Sequence, residues 1–235
     1  MLRAILFDFN GVLIDDEPIH CELLRRVLDE EGIAIDEDEY YRDYVGFDDG
    51  AALRFAIERE GRPLDEMTLR RLCARKAAYY QEALRERPYP FFPGAIDLVR
   101  DAAAAGLPLG IVSGALRSEI EPALRQEALG EAFKVVVAAE DVDRSKPDPE
   151  GYLIGLAELN ARPPLPERLL HPHEVLAIED TAAGLEAARR AGLTTLGVAH
   201  TFSTAHLAIA DHVVATLEGV SSELLIERYQ EASRR

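Results

Sequence analysis

The sequence predicts an α/β protein, a doubly wound parallel sheet with a block of helices inserted after its first strand. Three observations carry this. Six short runs rich in Val, Ile and Leu recur along the chain, each bounded by Gly, Pro or charge, as parallel strands covered on both faces require. Between the later runs lie helical stretches, three of which stop at glycine, the usual signal just past a helix end. From about Glu17 to Pro88 no strand pattern occurs, and helical periodicity takes its place.

The strands are expected at 2–8 (LRAILFD), 107–113, 134–139, 174–180, 193–198 and 212–216. The first helix between them, 95–105, carries Ile96, Leu98 and Val99 and stops at Gly106. Those at 118–129 and 182–191 stop at Gly130 and Gly192, and 149–159 starts on a proline. Inside the insert, helical spacing links Leu23, Leu24, Val27 and Leu28, then Leu53, Ala56 and Ile57, then Leu69, Leu72, Ala77 and Tyr80. The expected domains are therefore a Rossmann-like core of residues 1–15 and 89–235 and a helical domain of residues 16–88. The acidic DDEP at 15–18 and the stiff RPYPFFPG at 87–94 mark the two crossings, which together would make a hinge. The Pro-rich 161–173 reads as a surface connection, and His171 and His173 within it as solvated side chains.

Composition narrows the function. A length of 235 residues with 48% hydrophobic content allows one sizeable core plus a smaller appendage. A net charge of −17, spread along the chain without long acidic blocks, disfavours nucleic acid or an anionic membrane as partner, since both need a basic footprint. Two cysteines, Cys21 and Cys73, make no disulfide framework. No apolar run reaches the ~18 residues of a membrane span. Asp8 interrupts the N-terminal run too early for a signal peptide. The chain reads as a soluble, cytoplasmic protein, a monomer or small homo-oligomer.

In a doubly wound sheet, ligands bind at the carboxyl ends of the strands. The first strand ends at Asp8, and Asn10 lies two residues on, on the same side by strand alternation. The second ends in Ser113-Gly114, where a hydroxyl and nearby backbone N–H groups offer donors to an oxyanion. Lys146 follows the third, and Glu179-Asp180 closes the fourth. Any one of these would serve as a turn former or helix cap. Four in order, on strands expected to cluster, form a site. Three carboxylates at one edge invite a hard cation such as Mg²⁺. A metal with Lys146 would also let an acidic protein bind an anion.

DFNGVLIDDEP, IVSGALRSEI, SKPDPEGY and AIEDTAAGLEAARRAG together resemble the four motifs of the haloacid dehalogenase superfamily. The subfamily is the one with a helical cap after the first motif, which includes beta-phosphoglucomutase and many small phosphatases. The resemblance covers essentially the whole chain. It implies a Mg²⁺-dependent phosphatase acting on a small phosphorylated metabolite. Asp8 would be the nucleophile that forms an aspartyl-phosphate, with Ser113 and the Gly114 and Ala115 backbone holding the phosphoryl oxygens. Lys146 would neutralise charge there. Mg²⁺ would be held by Asp8, the Asn10 carbonyl and Asp180, with Glu179 as a further ligand.

Position 10 departs from the family pattern, which has Asp there as general acid and then base. Asn10 keeps the carbonyl but cannot exchange a proton, a loss of roughly 10²–10⁴ in rate. It reads as an inactivating substitution in an otherwise intact phosphatase. The alternatives are a natural variant, or a non-catalytic module that binds a phosphorylated ligand. The cap supplies leaving-group contacts in this subfamily. Glu17 and His20, in an E-P-x-H pattern, are the candidates, with Arg117 just after the second motif and Lys76 as others. A mutase must grip a second phosphate through a basic residue after a G-x-x pattern. VGFDDGA at 45–51 is acidic there, which favours hydrolysis over mutase activity; it also weakens a bisphosphate substrate, for which Arg75 and Lys76 would compensate.

Overall fold

The computed structural model describes residues 1–45 and 47–232. Strand β1 (Ala4–Phe7) is buried at every residue. It pairs in parallel with β2 (Leu109–Val112) on one side and β4 (Val175–Glu179) on the other. With β3 (Phe133–Val137), β5 (Thr194–Val198) and β6 (His212–Val214), these form among the described residues a six-stranded parallel sheet of order β3-β2-β1-β4-β5-β6. All six predicted strands are present, each shorter than its apolar run. The chain winds outward from β1 in both directions, so the strand order reverses beside β1. In such a sheet the crevice opens at the carboxyl ends of the strands flanking that reversal.

The described residues divide into two compact units, 1–15 with those from Pro90 onward, and 16–89. In the sheet unit, α5 (Ala95–Ala104) packs on β2, α7 (Glu150–Ala161) on β2 and β3, and α8 (Ala182–Arg190) on β4 and β5. Leu6, Val112, Val135, Tyr152, Leu159, Ala187 and Ala188 share one buried cluster. Helix α6 (Arg117–Gln126) follows β2, and α9 (Ser222–Ala232), which the sequence pattern did not single out, packs on α5.

The helical unit holds α1 (Glu17–Glu30), α2 (Glu37–Asp43), α3 (Asp49–Arg59) and α4 (Glu66–Glu86). Its core joins Leu24, Val27, Leu28, Tyr44, Leu53 and Leu72. Three of the helices start on an aspartate whose side chain accepts a first-turn N–H: Asp36 from Glu39, Asp48 from Ala51 and Asp65 from Thr68. Such caps contribute about 1 kcal/mol each. They explain how α2, short and acidic with no apolar stripe, still forms. Within the sheet unit the two crossings run side by side, tied by Asp15 N–H to Pro90 O at 2.7 Å and Phe92 N–H to Leu13 O at 2.9 Å. Among the described residues no helix is long and apolar enough to cross a membrane. His171 and His173 are exposed, with their rings stacked on each other.

Candidate active site

The site begins where β1 stops. Asp8 N–H is bound by Ile178 O at 2.9 Å, which registers it against the end of β4. The chain then turns tightly, with the N–H groups of Leu13 and Ile14 both returning to Phe9 O. Asn10 and Gly11 form the turn. Gly11 has φ of +75°, and a Cβ there would lie 2.0 Å from Asp180 Oδ2. Only glycine allows both the backbone conformation and the approach.

Around Asp8 the structure gathers three further predicted residues, Lys146, Glu179 and Asp180. Lys146 Nζ lies 2.8 Å from Asp8 Oδ1 and 2.7 Å from Glu179 Oε1. It also donates to Val112 O, at the end of β2, at 3.0 Å. The Asp8 contact is an ion pair without hydrogen-bond alignment, since Oδ1 has no hydrogen-bond partner. Asp8, Glu179 and Asp180 are all buried, and one carboxylate oxygen from each lies within 4.8 Å of the others. Ser113 and Gly114 line a cavity of about 310 Å³ together with Lys146.

Glu179, at the end of β4, and Asp180, just past it, are both held by the protein. Glu179 Oε1 accepts from Lys146 and, at 2.6 Å, from the buried Tyr152 hydroxyl. Its Oε2 keeps a 3.5 Å contact with Thr181, whose hydroxyl caps α8. Gly184 in α8 admits this side chain, because a Cβ there would fall 2.1 Å from Glu179 Oε1. Asp180 Oδ2 accepts from Thr201 Oγ1 at 2.6 Å, while Oδ1 is buried with no hydrogen-bond partner.

The electrostatics are those of an incomplete charge set. Burial, then the neighbouring Asp8 and Glu179 carboxylates, push the Asp180 carboxyl well above its ordinary value. Burial also raises Glu179, against the pull of Lys146. Burial opposes the charge on Lys146, but Asp8 and Glu179 outweigh it and hold the ammonium above its ordinary pKa. One lysine pairs with two of the three buried carboxylates, and Asp180 Oδ1 has neither ion pair nor hydrogen bond. An all-oxygen donor set of this kind fits a hard divalent cation.

The remaining candidates stand apart from this contact set. Ser113 Oγ accepts the Ala115 N–H at 3.0 Å, so its own O–H proton remains to be donated. The next two amides are occupied, Leu116 N–H by Glu119 and Arg117 N–H by Glu140. The Arg117 guanidinium is tied to Asp141 and the Val136 carbonyl. A sequence position after the second motif does not reveal these partners.

In the helical unit, Glu17 Oε1 accepts from Tyr40 OH at 2.6 Å. His20 Nδ1 faces Lys76 Nζ at 2.7 Å and Nε2 faces Asp16 Oδ2 at 3.2 Å. An ammonium only donates, so Nδ1 accepts and Nε2–H is the donor to Asp16. Lys76 also reaches Asp49 at 2.6 Å, and Tyr80 OH donates to Asp16 at 2.8 Å. Tyr152, Thr201 and His200 are the residues that sequence reasoning missed. Tyr152 read as an apolar core position, and a single threonine or histidine in a loop carries no pattern.

A family model described as haloacid dehalogenase-like hydrolase matches residues 5–198. The chain is 32% identical over 222 residues to a validoxylamine A 7'-phosphate phosphatase of Streptomyces hygroscopicus subsp. limoneus, covering 94% of this chain and 96% of that one. It is 30% identical over 204 residues to a phosphorylated carbohydrates phosphatase of Thermotoga maritima, covering 86% and 88%. Among solved structures, a beta-phosphoglucomutase from Clostridium difficile shares the fold, with a TM-score of 0.79, 24% identity and full coverage of both chains.

Proposed function

Because the chain belongs to the haloacid dehalogenase-like hydrolase family, we propose that it is a phosphatase that hydrolyses a small phosphomonoester, a sugar or metabolite phosphate, at Asp8. The observation that carries this reading is the buried set of Asp8, Glu179 and Asp180 with Lys146 between two of them. The phosphatase relatives support the reaction type.

Asp8 attacks phosphorus through a carboxylate oxygen, the ester P–O bond breaks, and an aspartyl-phosphate forms. Lys146 balances charge on the phosphoryl group while Ser113 O–H donates to one of its oxygens. Water then attacks the same phosphorus, and inorganic phosphate leaves with Asp8 restored. Mg²⁺ held by Asp8, Asp180 and the Asn10 carbonyl, with Glu179 as a further ligand, would supply positive charge that lets two anions meet. Two proton transfers remain, one to the leaving alkoxide and one from the attacking water. The Asn10 amide performs neither, so both fall to solvent and turnover is slow.

Hydrolysis is preferred to phosphosugar mutation because, among the described residues of the second-phosphate stretch, acids stand where a cation would be needed. Asp48 caps α3, Asp49 binds Lys76, and Arg75 is held by Glu30 and Glu31. Gly46 of that stretch lies outside the described residues. The test is phosphate release from a panel of metabolite phosphomonoesters, with Mg²⁺ and with EDTA. Release that needs Mg²⁺ and disappears in Asp8→Ala is expected. Release indifferent to either change overturns the reading.

A further inference from the structure

Asp180 is held from outside the four motif segments. Thr201, just past β5, donates its hydroxyl to Asp180 Oδ2 at 2.6 Å. Beside it, His200 Nδ1 lies 3.0 Å from Gly11 O. A carbonyl only accepts, so Nδ1 carries the proton. The His200 ring is stacked on Phe92, with centroids 3.9 Å apart and planes within 18°. Two successive residues of one loop thus grip both halves of the site. One fixes the carboxylate at the end of β4, and the other fixes the backbone turn that follows Asp8.

We infer that His200 and Thr201 form a positioning strap that sets the affinity of the carboxylate cluster for a divalent cation, with Thr201 the dominant member. The inference rests on reading that cluster as a cation site. A carboxylate has two oxygens and rotates about one bond. Thr201 occupies Oδ2 and leaves Oδ1, buried and without a hydrogen-bond partner, as the oxygen available to a cation. The Gly11 turn closes the side of Oδ2, since even a Cβ there would come within 2.0 Å of it. Rotation of Asp180 therefore drops a charge-assisted hydrogen bond or drives an oxygen into the turn. His200 acts on the other ligand-bearing segment by tethering the Asn10–Gly11 backbone through the Gly11 carbonyl. Groups that orient a metal ligand in this way are worth roughly 10–100-fold in metal affinity.

The experiment is calorimetric titration of MgCl₂ into the metal-stripped full chain, with metal-free thermal melts alongside. Thr201→Val should weaken Mg²⁺ binding by about 10–100-fold while metal-free melting stays near that of the wild type. Thr201→Ser, which keeps the hydroxyl, should restore most of the affinity. His200→Phe keeps the stack on Phe92, removes only the hydrogen bond, and should weaken binding in the same direction. If Thr201→Val does not fold, Thr201→Ala replaces it. Equal affinity in the wild type and the threonine variants overturns the strap alone, as does a serine variant that fails to rescue. A wild type that binds no Mg²⁺ overturns the cation site and the strap with it.

Discussion

Lys146 in the sheet unit and Lys76 in the helical unit both sit among acids, yet their surroundings differ in kind. Lys146 faces Asp8 and Glu179, and Asp180 adds a third buried carboxylate with an orphaned oxygen. Lys76 is 2% exposed and donates to Asp49 and His20; His20 and Tyr80 in turn donate to Asp16. In the helical network every donor named has its acceptor, and the network ties α1, α3 and α4 together. The sheet cluster has more negative charge than the protein compensates. That difference separates a structural lock from a cluster whose all-oxygen donors fit a hard divalent cation.

The contrast can be broken by removing its parts. Asp8→Ala should cost the most, on the order of 10⁴-fold or more in phosphate release, because it deletes the nucleophile itself. The comparison is best made both in the wild-type background and with aspartate introduced at position 10.

The two lysines should then differ in stability. Lys146→Met leaves Glu179, which is 0% exposed, beside Asp8 without a counter-charge. Urea unfolding of the metal-free protein should show a loss of about 3–5 kcal/mol. Lys76→Met should cost less, about 1–2 kcal/mol, since the Asp49 side chain is 39% exposed and water takes over its solvation. Equal losses would contradict the distinction. Between these two falls the cation itself. Mg²⁺ at a hundred times its dissociation constant should stabilise the wild type by about 2.7 kcal/mol, and EDTA should remove the gain.

The smallest effect concerns a carboxylate whose charge is fully met. Glu174 accepts from Arg168, from the His171 N–H and from Arg3, and these hold its carboxyl down at about 2 against an ordinary 4.5. The folded pKa lies below the unfolded one. Its contribution is therefore present above about 4.5 and is lost as pH falls toward about 2. Urea midpoints across that window should fall more steeply in the wild type than in Glu174→Gln. Parallel slopes would contradict the assignment.

Much of this was legible in the sequence, for identifiable reasons. Buried parallel strands cannot avoid apolar runs, so β1 to β6 announced themselves. Asp8, Ser113, Lys146, Glu179 and Asp180 stood out because chemistry-bearing residues at successive strand ends form a pattern. What stayed hidden has no pattern. Helix α2 is held by the Asp36 cap and the burial of Tyr40 rather than by an apolar stripe. Tyr152 looks like any core aromatic until its hydroxyl is found on Glu179. Thr201 and His200 gain meaning only when the fold brings the loop after β5 against the turn after β1. Arg117 stands beside a motif in sequence, and its partners, Asp141 and the Val136 carbonyl, come from across the fold.

The central claim is that the sheet cluster is a phosphatase site slowed by the amide at position 10. Initial rates of phosphate release by the wild type and Asn10→Asp, measured with and without Mg²⁺ on the same phosphomonoester panel, test it most directly. A rise of roughly 10²–10⁴-fold for Asn10→Asp, seen only with Mg²⁺, is the predicted result. Unchanged rates, or a rise that persists in EDTA, would contradict it.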